Sequence, residues 1–221
     1  MKNVMTKLLV VILMTVMMIT SFDTVCATTE VQAATYTKKI KGTYHQTDAR
    51  KMLKLINKFR TGDEAWYYAS DGSTVAVKGL KKLKYSYELE KVAMQRAAEL
   101  VVYFEHTRPN GTGFSSMIAS SNEYAGENLA SGSSTFCGRE YFDRVGAFET
   151  LKETDCDYFG QGHRRVMLYK HFTCVGIACF EYKGIKYWVQ IFGSSTDKTT
   201  KTKACNKKKT VKVEVDDSIC Y

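Results

Sequence analysis

FTCVGIACFEYKGIKYWVQIF, residues 172–192, is the stretch on which the fold turns. It contains two runs rich in β-branched and aromatic residues, Phe172–Glu181 and Lys186–Phe192, with Lys183-Gly184 as a turn signal between them. The reading is a hairpin, with Val175, Ile177, Trp188 and the neighbouring aromatics supplying an apolar sheet face. Upstream the period changes from two to between three and four. Met52, Leu55, Ile56 and Phe59 mark a helix from Thr47 that Gly62 closes. Ser86 is placed to cap a second helix, whose Leu89, Ala93, Ala97, Leu100 and Phe104 line one side before the turn at Arg108–Gly111. Phe142, Val145, Phe148 and Leu151 mark a third between Arg139 and Glu153. Helices first and a hairpin late are compatible with an α+β class without specifying it.

The remaining segments carry weaker signals. Asp63–Lys84 is mixed, with a turn signal at Ala69–Ser73, and Phe114–Ser134 is rich in Ser and Gly and reads mainly as loop. Residues 34–46 have no apolar period and read as a lead-in to a domain spanning 47–194. Residues 195–221 form a Lys/Thr-rich C-terminal extension, in which Thr210–Val215 alternates like an edge strand, a pinned appendage.

At the N-terminus Lys2 and Lys7 precede an uncharged run, Leu8–Thr20. That run is shorter than the roughly 20 residues a bilayer span needs, and small residues follow it. The layout is that of a signal peptide over residues 1–33, with cleavage after Ala27 or Ala33. The expectation is a secreted, extracellular chain of about 190 residues with no transmembrane span after cleavage, one domain with extensions. Its net charge of +9 favours anionic partners such as acidic glycans or lipid headgroups. Without a basic helix or a basic motif interleaved with aromatics, nucleic acid is excluded as a partner. Cys26 leaves with the leader, and Cys137, Cys156, Cys174, Cys179, Cys205 and Cys220 remain. An even count in an oxidising compartment predicts up to three disulfides. The competing Cys/His metal reading, His171-x-x-Cys174-x4-Cys179, is too loosely spaced for zinc.

Chemistry is concentrated in a few short stretches. Asn57–Arg60 lies in the first helix; HTRPNG occupies 106–111, GENLA 126–130, GQGHRRVML 160–168, CVGIA 174–178 and YWVQIF 187–192. Together, in this order, they resemble the CAP superfamily of cysteine-rich secretory proteins, venom allergens and pathogenesis-related class 1 proteins. HTRPNG and GQGHRR are closest to the family's bacterial secreted, SCP-like members. The resemblance covers roughly Thr47 to Ser194 and implies a three-layer α/β/α sandwich around a mainly antiparallel sheet. It also implies a cleft in which two histidines and two glutamates hold a divalent cation, zinc above all, with manganese or nickel also suited to that donor chemistry.

By matching motif, His106, Glu127 and His163 take three of those places. The fourth belongs to a glutamate on the helix before Gly162-His163, either Glu149 or Glu153, and Glu153 is preferred as nearer the turn. The tryptophan usual on that helix is absent, and Val166 stands where bacterial relatives commonly have asparagine. The implied function is a secreted binding module for lipid, sterol or anionic cell-surface material. A metal-dependent peptidase or wall-polymer hydrolase using the same cleft is the alternative, and a disulfide-stabilised surface protein the third. No nucleophile elbow, HExxH helix or phosphate loop assigns a catalytic residue.

Overall fold

The structure, a computed structural model, describes residues 34–133, 143–195 and 200–219. The leader expected over 1–33 and Cys137 and Cys220 lie outside the described residues, as does the start of the third helix.

The hairpin forms as read. β6 (Cys174–Tyr182) and β7 (Ile185–Gly193) run antiparallel in a register that sets Val175 opposite Phe192 and Cys179 opposite Trp188. Lys183 and Gly184 both have positive φ, 50° and 79°, the turn whose twist matches right-twisted strands. Around this pair the sheet grows in the order β5-β7-β6-β1-β8. β5 (Ala125–Ser133) pairs along β7, while β1 (Thr35–Tyr44) joins the end of β6 and carries β8 (Lys208–Asp216), every pairing antiparallel. The short β4 (Lys84–Tyr85) takes the other half of the β6 edge in parallel. β2 (Trp66–Tyr68) and β3 (Thr74–Ala76) form a separate small ribbon.

Three segments differ from the sequence reading: the second helix ends at Glu99, short of Phe104, and two further stretches are strands. The lead-in at 34–46 contains strand β1, because its buried alternation (Ile40, Gly42, Tyr44) is confined to its last turns and the rest is held by nine-residue pairing with β8. The Lys/Thr-rich extension accordingly ends as a strand of the main sheet. The Ser/Gly-rich stretch read as loop contains β5, whose small residues are a packing requirement: a Cβ on Gly126 would stand 2.7 Å from the Phe172 ring.

Among the described residues four α-helices cover the faces: α1 (Gln46–Thr61), α2 (Tyr87–Glu99), α3 (Arg144–Lys152) and α4 (Gly162–Met167). Ser86 caps α2 through Leu89 N–H, as its position predicts, and Asp143 caps α3. One core joins Met52, Ile56 and Phe59 of α1, Leu151 of α3 and Met167 of α4 to Val175, Ile177, Trp188 and Phe192. The other joins Leu89, Ala93 and Ala97 of α2 to Leu129, Val189, Ile191, Val213 and Val215. Successive strand residues point to opposite faces, so the two cores lie on either side of the sheet and the molecule is an α/β/α sandwich. α2 rides directly on β6: a Cβ at Gly176 would lie 2.1 Å from Glu90 N. No helix among the described residues is long and apolar enough to cross a membrane.

Candidate functional site

α2 carries three buried charges: Glu90, which pairs with Arg50, and Arg96 and Glu99. Arg96 and Glu99 are 0 % and 1 % exposed, on the face that Ala93 and Ala97 otherwise keep apolar. Arg96 Nε donates to Glu127 Oε1 at 2.8 Å and its NH2 to Oε2 at 3.3 Å. NH1 donates to Glu99 Oε2, and NH2 also reaches the Glu105 carbonyl. Arg108 closes the cluster by donating to Glu99 Oε1 at 2.8 Å. Burial alone would lower the Arg96 pKa; the bonds and charges of Glu127 and Glu99 outweigh it and hold the guanidinium above its ordinary value. Two guanidiniums thus balance two carboxylates inside the protein.

His106 sits over this cluster. Its Nδ1 lies 2.8 Å from Glu127 Oε2, and the imidazole is more than half exposed while the carboxylate side chain is fully buried. The partner at Nδ1 places the ring proton there and leaves Nε2 as the outward-facing acceptor.

The second pair is built on the other side of the sheet. α3 ends at Lys152, and Glu153, its C-cap, takes a left-handed conformation with φ 50°. That turn directs its side chain to α4, where Oε1 lies 2.5 Å from His163 Nδ1 and Oε2 accepts the Arg164 N–H at 3.2 Å. Glu149 instead pairs with Lys152 at 2.9 Å. Of the two candidate glutamates, Glu153 is the one that meets a histidine. β5 links the sites: Glu127 points to the α2 side, and its neighbour Asn128 points the opposite way, donating to Gln190 and to the His163 carbonyl. β5 is an edge strand of the sheet, so the two pairs flank that strand.

The four expected residues are therefore brought together as two histidine–carboxylate pairs. Among the described residues no group of three or more His, Cys, Asp and Glu side chains is disposed to hold a metal ion. All four carboxylate oxygens already accept hydrogen bonds, and Glu127 would have to release Arg96 to become a ligand. The donor whose chemistry would suit a divalent cation is an imidazole Nε2 oriented from behind by a carboxylate, and His106 and His163 each supply one. Such a cation would supply a Lewis acid with open positions.

The other motif residues are structural. Asn57 clamps Leu83 through both its amide atoms, and Arg60 donates to the carbonyls of Met167 and Tyr169. Arg164 donates to the carbonyls of Glu64, Trp66 and Lys152 and stacks over the Trp66 ring at 4.1 Å. Cys174 and Cys179 face opposite cores, so the loosely spaced Cys/His motif does not converge. No disulfide links Cys156, Cys174, Cys179 and Cys205 to one another, and burial pushes the Cys179 thiol far up. Arg96, Glu99 and Arg108 were not among the expected site residues. The signal that exposes Arg96 is its place three residues after Ala93 on an apolar helix face.

Fold and paired site define a sandwich of helices around an antiparallel sheet with two oriented histidines at one edge. The family model of the cysteine-rich secretory protein family, CAP, matches residues 53–192, more than half of the chain, and the chain belongs to this family. Among solved structures it is similar to NaASP2 with Zn2+, at 18% identity and TM-score 0.48, covering 74% of this chain and 87% of that one. It is similar also to Schistosoma mansoni venom allergen-like protein 4, at 17% identity and TM-score 0.45, covering 71% and 95%. BmVAL-1 follows at 15% identity and TM-score 0.47, covering 70% and 80%. No curated protein matches the chain.

Proposed function

We propose that the chain is a secreted CAP-domain binding module, of the bacterial SCP-like kind that its HTRPNG and GQGHRR stretches resemble. Its two carboxylate-oriented histidines present Nε2 to a divalent cation or an acidic ligand, and its partners are anionic cell-surface glycan or lipid. The observation that carries the reading is that every carboxylate oxygen of Glu127 and Glu153 already accepts a hydrogen bond. A general base in a metal-dependent hydrolase needs a carboxylate free to take a proton from water. Here both carboxylates orient imidazoles instead, an arrangement suited to holding a ligand. Export is supported by the basic, apolar and small-residue order of residues 1–33.

The test is a Zn2+ titration of the leaderless chain, followed by calorimetry and thermal midpoint. Uptake lost in both His106→Ala and His163→Ala supports a two-histidine cation site. Uptake that survives the double variant overturns it. Turnover of casein or cell-wall polymer that chelation and His106→Ala both abolish would establish the hydrolase instead.

A further inference from the structure

The sequence scatters its lysines, but the fold gathers many of them. A groove of about 640 Å3 runs along the outer side of α1, lined by Arg50, Lys54 and Lys58 among others, and it includes Lys82. A second groove, about 690 Å3, is lined by Lys81, Lys82, Lys84 and Lys170 with His171 and Phe172. Lys82 lines both, so the two grooves adjoin there. Nine cationic side chains and no carboxylate line them. Arg50 and Lys51 are paired, with Glu90 and Asp48. Among the described residues no carboxylate lies in ion-pair range of the remaining seven, all lysines and all exposed.

At one end of the second groove the lining is His171 and Phe172, with Tyr124 and Tyr169 packed on His171 outside the lining. His171 stacks on Tyr124 with ring centroids 4.6 Å apart and planes 19° from parallel, and Tyr169 leans against it at 5.1 Å. Glu123, beside this end, accepts the Tyr124 hydroxyl hydrogen, which raises that phenol's pKa.

We propose that these adjoining grooves are the docking site for an acidic polysaccharide. The proposal rests on the binding-module reading and assigns its partner and place. Unpaired lysines along a groove match the repeated anionic charge of a linear polymer, and association is driven by release of the polymer's counterions. The aromatic end matches the apolar C–H face of a sugar ring. An anionic bilayer fits less well: it is flat where this surface is concave. A membrane-seating surface also carries protruding apolar side chains beside its cations. Of the exposed ones among the described residues, Tyr36, Phe104, Val145, Phe159 and Ile185 lie off the groove, and Tyr169 alone adjoins it, where it leans on His171.

The test measures binding of the leaderless chain to a fluorescent heparin decasaccharide. Neutral dextran and vesicles containing an anionic phospholipid are run in parallel. Lys81→Ala/Lys82→Ala/Lys84→Ala/Lys170→Ala removes four of the grooves' nine cationic side chains. Lys38→Ala/Lys41→Ala/Lys208→Ala/Lys212→Ala removes the same charge from β1 and β8. Thermal midpoints confirm that both variants fold. The expected result is at least a tenfold loss and a shallower salt dependence in the first variant, against less than threefold in the second. His171→Ala is expected to weaken binding several-fold with the salt slope unchanged. Equal losses in the two quadruple variants overturn the groove assignment while leaving a polyanion-binding module standing. Binding to vesicles in place of heparin overturns the choice of polysaccharide. No binding to heparin or vesicles overturns the groove and the anionic-partner reading together.

Discussion

Replacing Arg96 by Met tests whether the buried charge cluster holds the site. Arg96 is fully buried, and its partner Glu127 is a fully buried side chain. Removing the guanidinium leaves Glu99 with Arg108, but leaves Glu127 with His106 alone, an imidazole largely in water. Breaking a buried pair by removing one partner costs about 3–5 kcal/mol, because the remaining charge is uncompensated. For a domain of this length each kcal/mol moves the thermal midpoint by about 2–4 °C, so the expected fall is about 6–20 °C. The diagnostic is the second step. Adding Glu127→Gln to Arg96→Met removes the stranded charge, so the double variant should be more stable than the single one. Urea denaturation of both, with CD and fluorescence traces required to coincide, measures the cycle. A single-variant cost below about 1 kcal/mol, or a further loss on adding Glu127→Gln, would refute the reasoning.

Other expectations are independent of that cluster. Gly176→Ala should cost about 3 kcal/mol or more, since the new Cβ meets the α2 backbone at Glu90 and Leu89 and cannot be relieved by a side-chain rotation; chemical denaturation reads it directly. Cys179 should resist maleimide at pH 8 in the folded protein and label after unfolding without reductant, because burial holds its thiol protonated. Labelling that requires reductant would show a disulfide instead. Glu149→Gln should leave Zn2+ uptake unchanged, since Glu149 faces Lys152 rather than His163.

How much of this was legible from the chain follows from where each signal is stored. The hairpin and helices α1 and α2 are written locally, in strand alternation, a two-residue turn and a capped 3.6-residue period. β1 is not, because Thr35–Lys39 is polar throughout and becomes strand only by pairing with β8, about 170 residues away. β5 hides behind its glycines, whose reason is a neighbour, the ring of Phe172. The two glutamates of α3 illustrate a third kind of failure. Helical spacing puts Glu149 and Glu153 on one face, but the helix stops between them, and the left-handed turn at Glu153 sends the two side chains to different partners. Arg96 could have been read, since a charge within an apolar stripe must find a buried partner.

The two histidine–carboxylate pairs look alike but differ in electrostatics, and this separates the effects of removing either histidine. Glu127 is balanced by Arg96 whether or not His106 is present, so His106 is not needed as its counter-charge and is available as a ligand. Glu153 accepts from no guanidinium: the Arg164 side chain donates to carbonyls and its charge reaches Glu153 only through space, and Lys152 is paired with Glu64 and Glu149. Its oxygens are met by the Arg164 backbone N–H and by His163. His106→Ala should therefore cost at most about 1 kcal/mol, the scale of an exposed pair. His163→Ala removes a hydrogen bond to a largely buried carboxylate and should cost about 1.5–3 kcal/mol. Urea denaturation of the two variants side by side, without added metal, measures the difference. Equal costs, or a larger one for His106→Ala, would show that Arg96 does not carry the charge of Glu127, and that the two pairs are equivalent after all.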